Sequence, residues 1–199
     1  MQPLYDASMI EVLTLREAIR KRPRMWLRSN DHQLLHHLLS SLVEGLLWRY
    51  RVLGHSLNQI TIRLEQDGSA TITSEGATLP AAFLEQSAQV VKRDFQVYVN
   101  DLHLLVVVNA LCERLCMHVH GSNTYHPFFF FEQGILRSEE SRSSPPDDEH
   151  DIWLRLWPDF TILDPEAFDN GRTQERMRSF SGDYPESTIT IIDTCLSTD

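Results

Sequence analysis

The chain has 199 residues, with 18 basic and 28 acidic side chains, a formal net charge of −10, and 42% hydrophobic residues. That length and balance suit one globular domain with a real core, and they exclude a coiled coil or a wholly disordered chain. Three cysteines make no disulfide framework. No apolar run approaches the roughly 18 residues a membrane helix needs, and the start, Met1 to Asp6, shows no secretory pattern. A cytoplasmic chain without membrane attachment is expected. The acidic excess argues against broad nucleic-acid binding, which needs clustered Lys and Arg.

In chain order, Thr14 to Arg22 reads as a helix, with Thr14 as N-cap, Glu17 as its box partner and Pro23 as the stop. From Leu34 to Leu53, Leu35, Leu38, Leu39, Leu42, Val43, Leu46 and Leu47 form the stripe of a core-facing helix, closed by Gly54. Gln59–Glu65 alternates at period two, Asp67-Gly68 signals a hairpin turn, and Ala70–Thr73 is the partner strand. Pro80 to Phe95 is ambiguous. Leu102 to Leu115 is apolar nearly all round, which suits a buried helix. Met117–His120 and Phe128–Glu132 read as a strand pair, and Ser138–His150 as a polar, mobile loop. Ile152–Trp157 is a strand, Arg172–Phe180 a helix, and Ser187–Asp193 a last strand. The order predicts an α+β sandwich of one mostly antiparallel sheet under helices.

These residues carry a resemblance. Tyr5-Asp-Ala-Ser-Met-Ile-Glu-Val-Leu followed by Arg20-Lys-Arg-Pro-x-Met-Trp resembles the opening of the ATPase domain of DNA gyrase B and its topoisomerase IV relative. His36-His37 on a long helix, Ile60-Thr-Ile with Asp67-Gly-Ser, Gly76 with Leu79-Pro80, Val107–Leu111 and Leu154-Arg-Leu-Trp-Pro-Asp resemble later motifs of that domain in the same order. The resemblance implies a GHKL (Bergerat-type) two-layer sandwich. It implies an N-terminal strap over 1–13, a single domain over 14–199, and no second transducer domain.

The resemblance also shows what chemistry is missing. In the family a Glu on the long helix activates water, and an Asn four residues on holds Mg²⁺. Here Ser41 and Gly45 take those places. Serine accepts no proton at neutral pH without an activating neighbour, and glycine offers no ligand to a cation that requires oxygen. Glu44 is one residue off, about 100° round the helix. The family reads adenine with an Asp in D-x-G-x-G, supported by a later Thr. Here the stretch is Ser74-Glu-Gly76-Ala77-Thr78, and Ile152 replaces the Thr. The glycine-rich phosphate lid becomes Val99-Asn-Asp101-Leu-His103-Leu-Leu, with no glycine and with an added acidic group.

Four other groupings have plainer readings. Cys112, Cys116, His118 and His120 contain zinc-ligand types, but core cysteines and sheet histidines explain them. No metal and no cofactor are expected. His36 and His37 are adjacent and face apart, so they do not chelate together. Phe128–Phe131 reads as a strand covered on both faces, with an exposed aromatic pair as the functional alternative. Arg16, Arg20, Lys21, Arg22, Arg24 and Arg28 form a basic cluster, read as structural with acidic-partner or nucleic-acid contact as the alternative. The expected protein is an inactive gyrase-B-like binding or regulatory module. Its strap residues Leu4, Tyr5, Ile10, Val12 and Leu13 would pack on a second copy, or on a gyrase- or topoisomerase-type partner. The alternatives are a vestigial ATP-binding switch or slow ATPase, and a DNA-associated protein using Arg16–Arg28.

Overall fold

A computed structural model describes residues 13–27, 33–52, 57–76, 103–119, 126–142, 152–164, 173, 175, 179, 183–185 and 187–194. Among the described residues, four continuous helices, α1 (Leu15–Lys21), α2 (Pro23–Trp26), α3 (Leu34–Val52) and α4 (His103–Leu111), accompany seven strands. These are β1 (Leu57–Leu64), β2 (Ala70–Gly76), β3 (Cys112–Val119), β4 (His126–Glu132), β5 (Ile135–Arg142), β6 (Ile152–Pro158) and β7 (Thr188–Asp193). They form one sheet in the order β5-β4-β3-β6-β2-β1-β7. Every neighbouring pair is antiparallel except β1 with β7.

Alternation along each strand sends one set of side chains to the helices. Ile60, Ile62, Ile72, Leu154, Leu156, Leu115, Met117, Phe129 and Phe131 join the α3 stripe and Val106–Leu111 of α4 in a single buried cluster. The opposite face carries Thr61, Arg63, Thr71, Thr73, Trp153, Arg155 and Trp157, which alternate with the core residues along the same strands.

The α1 start is fixed as its sequence suggests. Thr14 Oγ1 accepts from the Glu17 amide, and Glu17 Oε2 accepts from the Thr14 amide at 2.8 Å. The β1–β2 turn is also as read. Gly68 sits at φ +77°, and a Cβ there would lie 2.9 Å from the Phe160 ring. Asp67 Oδ1 accepts from the Ser69 amide and hydroxyl at 3.0 and 2.6 Å, an Asx-type closure.

Two expectations are corrected. The apolar run from Leu102 does not stay helical to Leu115: α4 ends at Leu111, and Cys112–Val119 form β3 between β4 and β6. The Asp159 amide donates to Leu111 O at 3.0 Å, and strand pairing with β6 begins at Cys112–Pro158. Long-range pairing overrides local propensity here. The polar stretch read as a loop from Ser138 is strand as far as Arg142, paired to His126–Phe130. Its register is set by the turn at Gln133 (φ 48°) and Gly134 (φ 80°), the two positive φ angles of a two-residue hairpin. Residues 143–150 lie outside the described set, as do Pro80–Phe95 and the strap apart from Leu13. Of the predicted late helix, Thr173, Glu175 and Ser179 are described, and all three are helical.

Candidate functional site

The long helix presents its core stripe to the sheet, and Ser41 and Gly45 flank that stripe, both half-buried. They are one turn apart and share a face. Glu44 is exposed, three residues on from Ser41 and so its neighbour on the helix surface. His36, one turn before Ser40, is buried, with Nδ1 2.8 Å from Thr173 Oγ1. Ser40 Oγ donates to His36 O at 2.7 Å. These contacts tie α3 to the helical residues near 173 and give His36 a structural role. His37 is half-buried, its ring edge-on to that of His36.

Under this helix layer, Ser74 of β2 and Ile152 of β6 are direct cross-strand partners. Both are buried, Ser74 at 1% exposure and Ile152 at 5%. The two positions expected to act as one recognition unit are therefore side by side, on the side of the sheet that faces the helices. Ser74 Oγ has no hydrogen-bond partner among the described residues. Gly76 ends β2 opposite Leu57. His103 is the first residue of α4. Ala77, Thr78 and Asp101 lie outside the described residues, as do Leu4, Tyr5, Ile10 and Val12 of the strap. Leu13 is half-buried.

The basic cluster divides. Arg20 turns inward: Nη1 donates to Ala110 O at 3.0 Å, and Nη2 meets Asp159 Oδ2 at 2.5 Å. Asp159 is largely buried, which works against its charge. Hydrogen bonds from Thr161 and Arg20 nonetheless hold its carboxyl below the usual range. Arg16 packs beside Gly134, where a Cβ would lie 3.0 Å from its Cδ. Lys21, Arg22 and Arg24 are exposed. Sequence reasoning missed the Arg20–Asp159 pair, because 139 positions separate its members.

No zinc site forms. Cys112 and Cys116 lie on β3 rather than one helical turn apart, so their Cα atoms are about 13 Å apart along the strand. Among the described residues no group of three His, Cys, Asp or Glu side chains could hold a metal. Burial and the nearby Asp159 charge push the Cys112 thiol far up, so it is inert. The phenylalanine run divides by face: Phe129 and Phe131 are core, 1% exposed and stacked at 6.4 Å, while Phe128, buried, and Phe130, half-buried, lie on the opposite face.

Comparison with known proteins places this geometry. No protein-family model matches the chain. The DNA gyrase B subunit of Haloferax volcanii is 30% identical over 196 residues, covering 89% of this chain and 30% of that protein. The DNA topoisomerase 4 B subunit of Staphylococcus aureus is 32% identical over 141 residues, covering 63% of this chain and 21% of that protein. Among solved structures, the 43K ATPase domain of Thermus thermophilus gyrase B, in complex with an aminocoumarin, superposes with a TM-score of 0.73 at 20% identity. That match covers 94% of this chain and 50% of the other. The B-subunit of the DNA gyrase from Myxococcus xanthus gives 0.70 at 21% identity, over 90% of this chain and 53% of the other. The class is therefore that of GHKL-type α+β domains. Within it, the chain is a gyrase-B-like GHKL domain, and it spans less than a third of the length of the curated gyrase and topoisomerase relatives it matches. No helix among the described residues is long and apolar enough to cross a membrane.

Proposed function

We propose that this gyrase-B-like domain is catalytically inactive and works as a binding and regulatory module, with a second copy of itself or a gyrase-type subunit as partner. The observation that carries this reading is the β2–β6 pair. Where nucleotide recognition would need a carboxylate and a hydroxyl, Ser74 stands opposite Ile152, so one position is weakened and the other is apolar. Ser41 and Gly45 supply neither a base nor a metal ligand, and Glu44, one residue before Gly45, is exposed to solvent. A pocket stripped of these groups leaves the inherited surfaces as the useful part of the molecule.

The strap residues Leu4, Tyr5, Ile10, Val12 and Leu13 are the proposed contact with the second chain. Two exchanged straps would make a closed, isologous dimer, with several hundred Å² buried per chain, on the order of a standard interface. Light scattering of the full chain and of a chain starting at Thr14, with and without a gyrase B protein, tests this. A nucleotide-independent dimer or complex that is lost on truncation is expected. Two monomers that bind no gyrase protein contradict the reading.

One observation favours a second reading, a vestigial ATP-binding switch. The buried Ser74 hydroxyl is without a partner among the described residues, and a ligand amino group would supply one. A micromolar dissociation constant for ATP by calorimetry that is unchanged in Arg63→Ala and weakened in Ser74→Ala would select that reading. A DNA-associated role is weakened because Asp159 and Ala110 already hold Arg20. Binding through Lys21, Arg22 and Arg24 would reveal itself by a steep fall with salt.

A further inference from the structure

The sheet face turned away from the helices carries a groove of about 320 Å³. It is built by cross-strand register rather than by any sequence motif. Arg63 of β1 pairs with Thr71 of β2, and Thr71 pairs with Arg155 of β6, so the three form one row across the sheet. The adjacent row is Thr61, Thr73 and Trp153. All six line the groove, with Glu65 at the turn end and Ile192 on the rim. At strand spacing, Arg63 and Arg155 stand about 10 Å apart at their Cα atoms, with a hydroxyl between them.

Arg155 is preorganised. Its Nε donates to Ser69 Oγ at 3.1 Å, its Nη2 to Asp67 Oδ2 at 3.0 Å, and its guanidinium lies 4.8 Å from the Trp157 ring centroid. Nη1 makes no hydrogen bond among the described residues. Arg63 is exposed, and no described residue forms an ion pair with it. Trp157 is occupied, because Arg114 also lies over its ring at 4.6 Å. Trp153 is the aromatic ring that lines the groove.

We propose that this groove binds one small anion carrying a planar ring, in the class of a nucleoside monophosphate, on the face opposite the degenerate pocket. The anionic group sits over Thr71 between the two guanidinium groups: Arg63 offers a bidentate fork, and Arg155, whose Nε and Nη2 are engaged by Ser69 and Asp67, offers Nη1. Glu65 excludes negative charge from the turn end, so the ring extends the other way, onto Trp153, with the Thr61 and Thr73 hydroxyls at its edge. Successive same-face residues on a strand are about 7 Å apart, which matches the reach from a phosphate to the base it carries. One unoccupied aromatic ring serves one base, so the groove is a single-ligand site and not a platform for a nucleic-acid strand.

The test is calorimetry of the full chain with AMP, adenosine and inorganic phosphate, repeated on Arg63→Ala and Trp153→Leu. Arg63 is exposed, so its variant keeps the fold, and circular dichroism checks Trp153→Leu. AMP is expected to bind, to weaken about tenfold in Arg63→Ala, and to exceed both adenosine and phosphate. Three results overturn the proposal: AMP binding unchanged in Arg63→Ala, which places it elsewhere; phosphate or adenosine binding as tightly as AMP; or affinity for deoxyadenosine oligomers that grows with length. Absence of AMP binding to the wild-type chain also overturns it.

Discussion

Ser74 holds a buried hydroxyl opposite a buried isoleucine, and the proposed loss of nucleotide recognition rests on that pair. A desolvated hydroxyl without a partner costs about 1–3 kcal/mol, so Ser74→Ala is expected to leave stability unchanged or to raise it by up to about 1 kcal/mol. Urea denaturation reads this directly, and a loss above about 1 kcal/mol would show that Oγ is bonded in the folded state. Asp67 is the contrasting case. The Ser69 hydroxyl first, then the Ser69 amide, Trp157 and Arg155, lower its carboxyl from 3.8 to about 2, against a smaller opposing effect of desolvation. A lowered folded value favours the folded state above about pH 4, and that contribution is lost as pH falls towards 2. The side chain is 49% exposed, so the effect is well under the full linkage value. Acid unfolding of Asp67→Asn should therefore begin from a slightly lower stability at pH 7 and lose less between pH 4 and pH 2. An identical acid profile would contradict this. Ser74 and Ile152 were legible in the sequence because each sits in a recognisable local motif. The Arg63–Thr71–Arg155 row was not, because only strand register brings its members together.

Elements were legible where the signal is local. The capping box at Thr14, the leucine stripe of α3 and the Asp67-Gly68 turn each state their structure within a few residues. Thr14→Ala removes the acceptor for the Glu17 amide and should cost about 1 kcal/mol, read as a shift of the urea midpoint with unchanged slope. No shift would mean that tertiary contacts alone set the α1 start. Elements were misread where a neighbour decides. Leu111 and Cys112 are alike in hydrophobicity, and the change from helix to strand comes from pairing with Pro158 across the sheet. Likewise Ser138–Arg142 is too polar to announce a strand. It becomes one because the Gln133–Gly134 turn hands it to β4 at the sheet edge, where its backbone pairs on one side only.

At the scale of the molecule, one sheet separates two surfaces with different histories. The helix-covered side keeps the gyrase-B-type architecture, and on the reading proposed above its Ser41, Gly45, Ser74 and Ile152 do not suit ATP chemistry. The open side carries charged, hydroxyl and aromatic residues in register. The fold was legible as a whole because many weak motifs fell in one order, and the comparisons agree. The proposed function was legible only through groups the sequence lacks at Ser41, Gly45, Ser74 and Ile152, and a missing group names no successor activity. Steady-state phosphate release by the full chain with ATP and Mg²⁺ tests the central claim most directly. Release at the buffer background is the expected result, and it should stay there after Ser41→Glu with Gly45→Asn, because recognition and the phosphate lid are also altered. Magnesium-dependent turnover in the wild-type chain that disappears in Glu44→Gln would contradict the account, since it would make Glu44 the base and this domain a working ATPase.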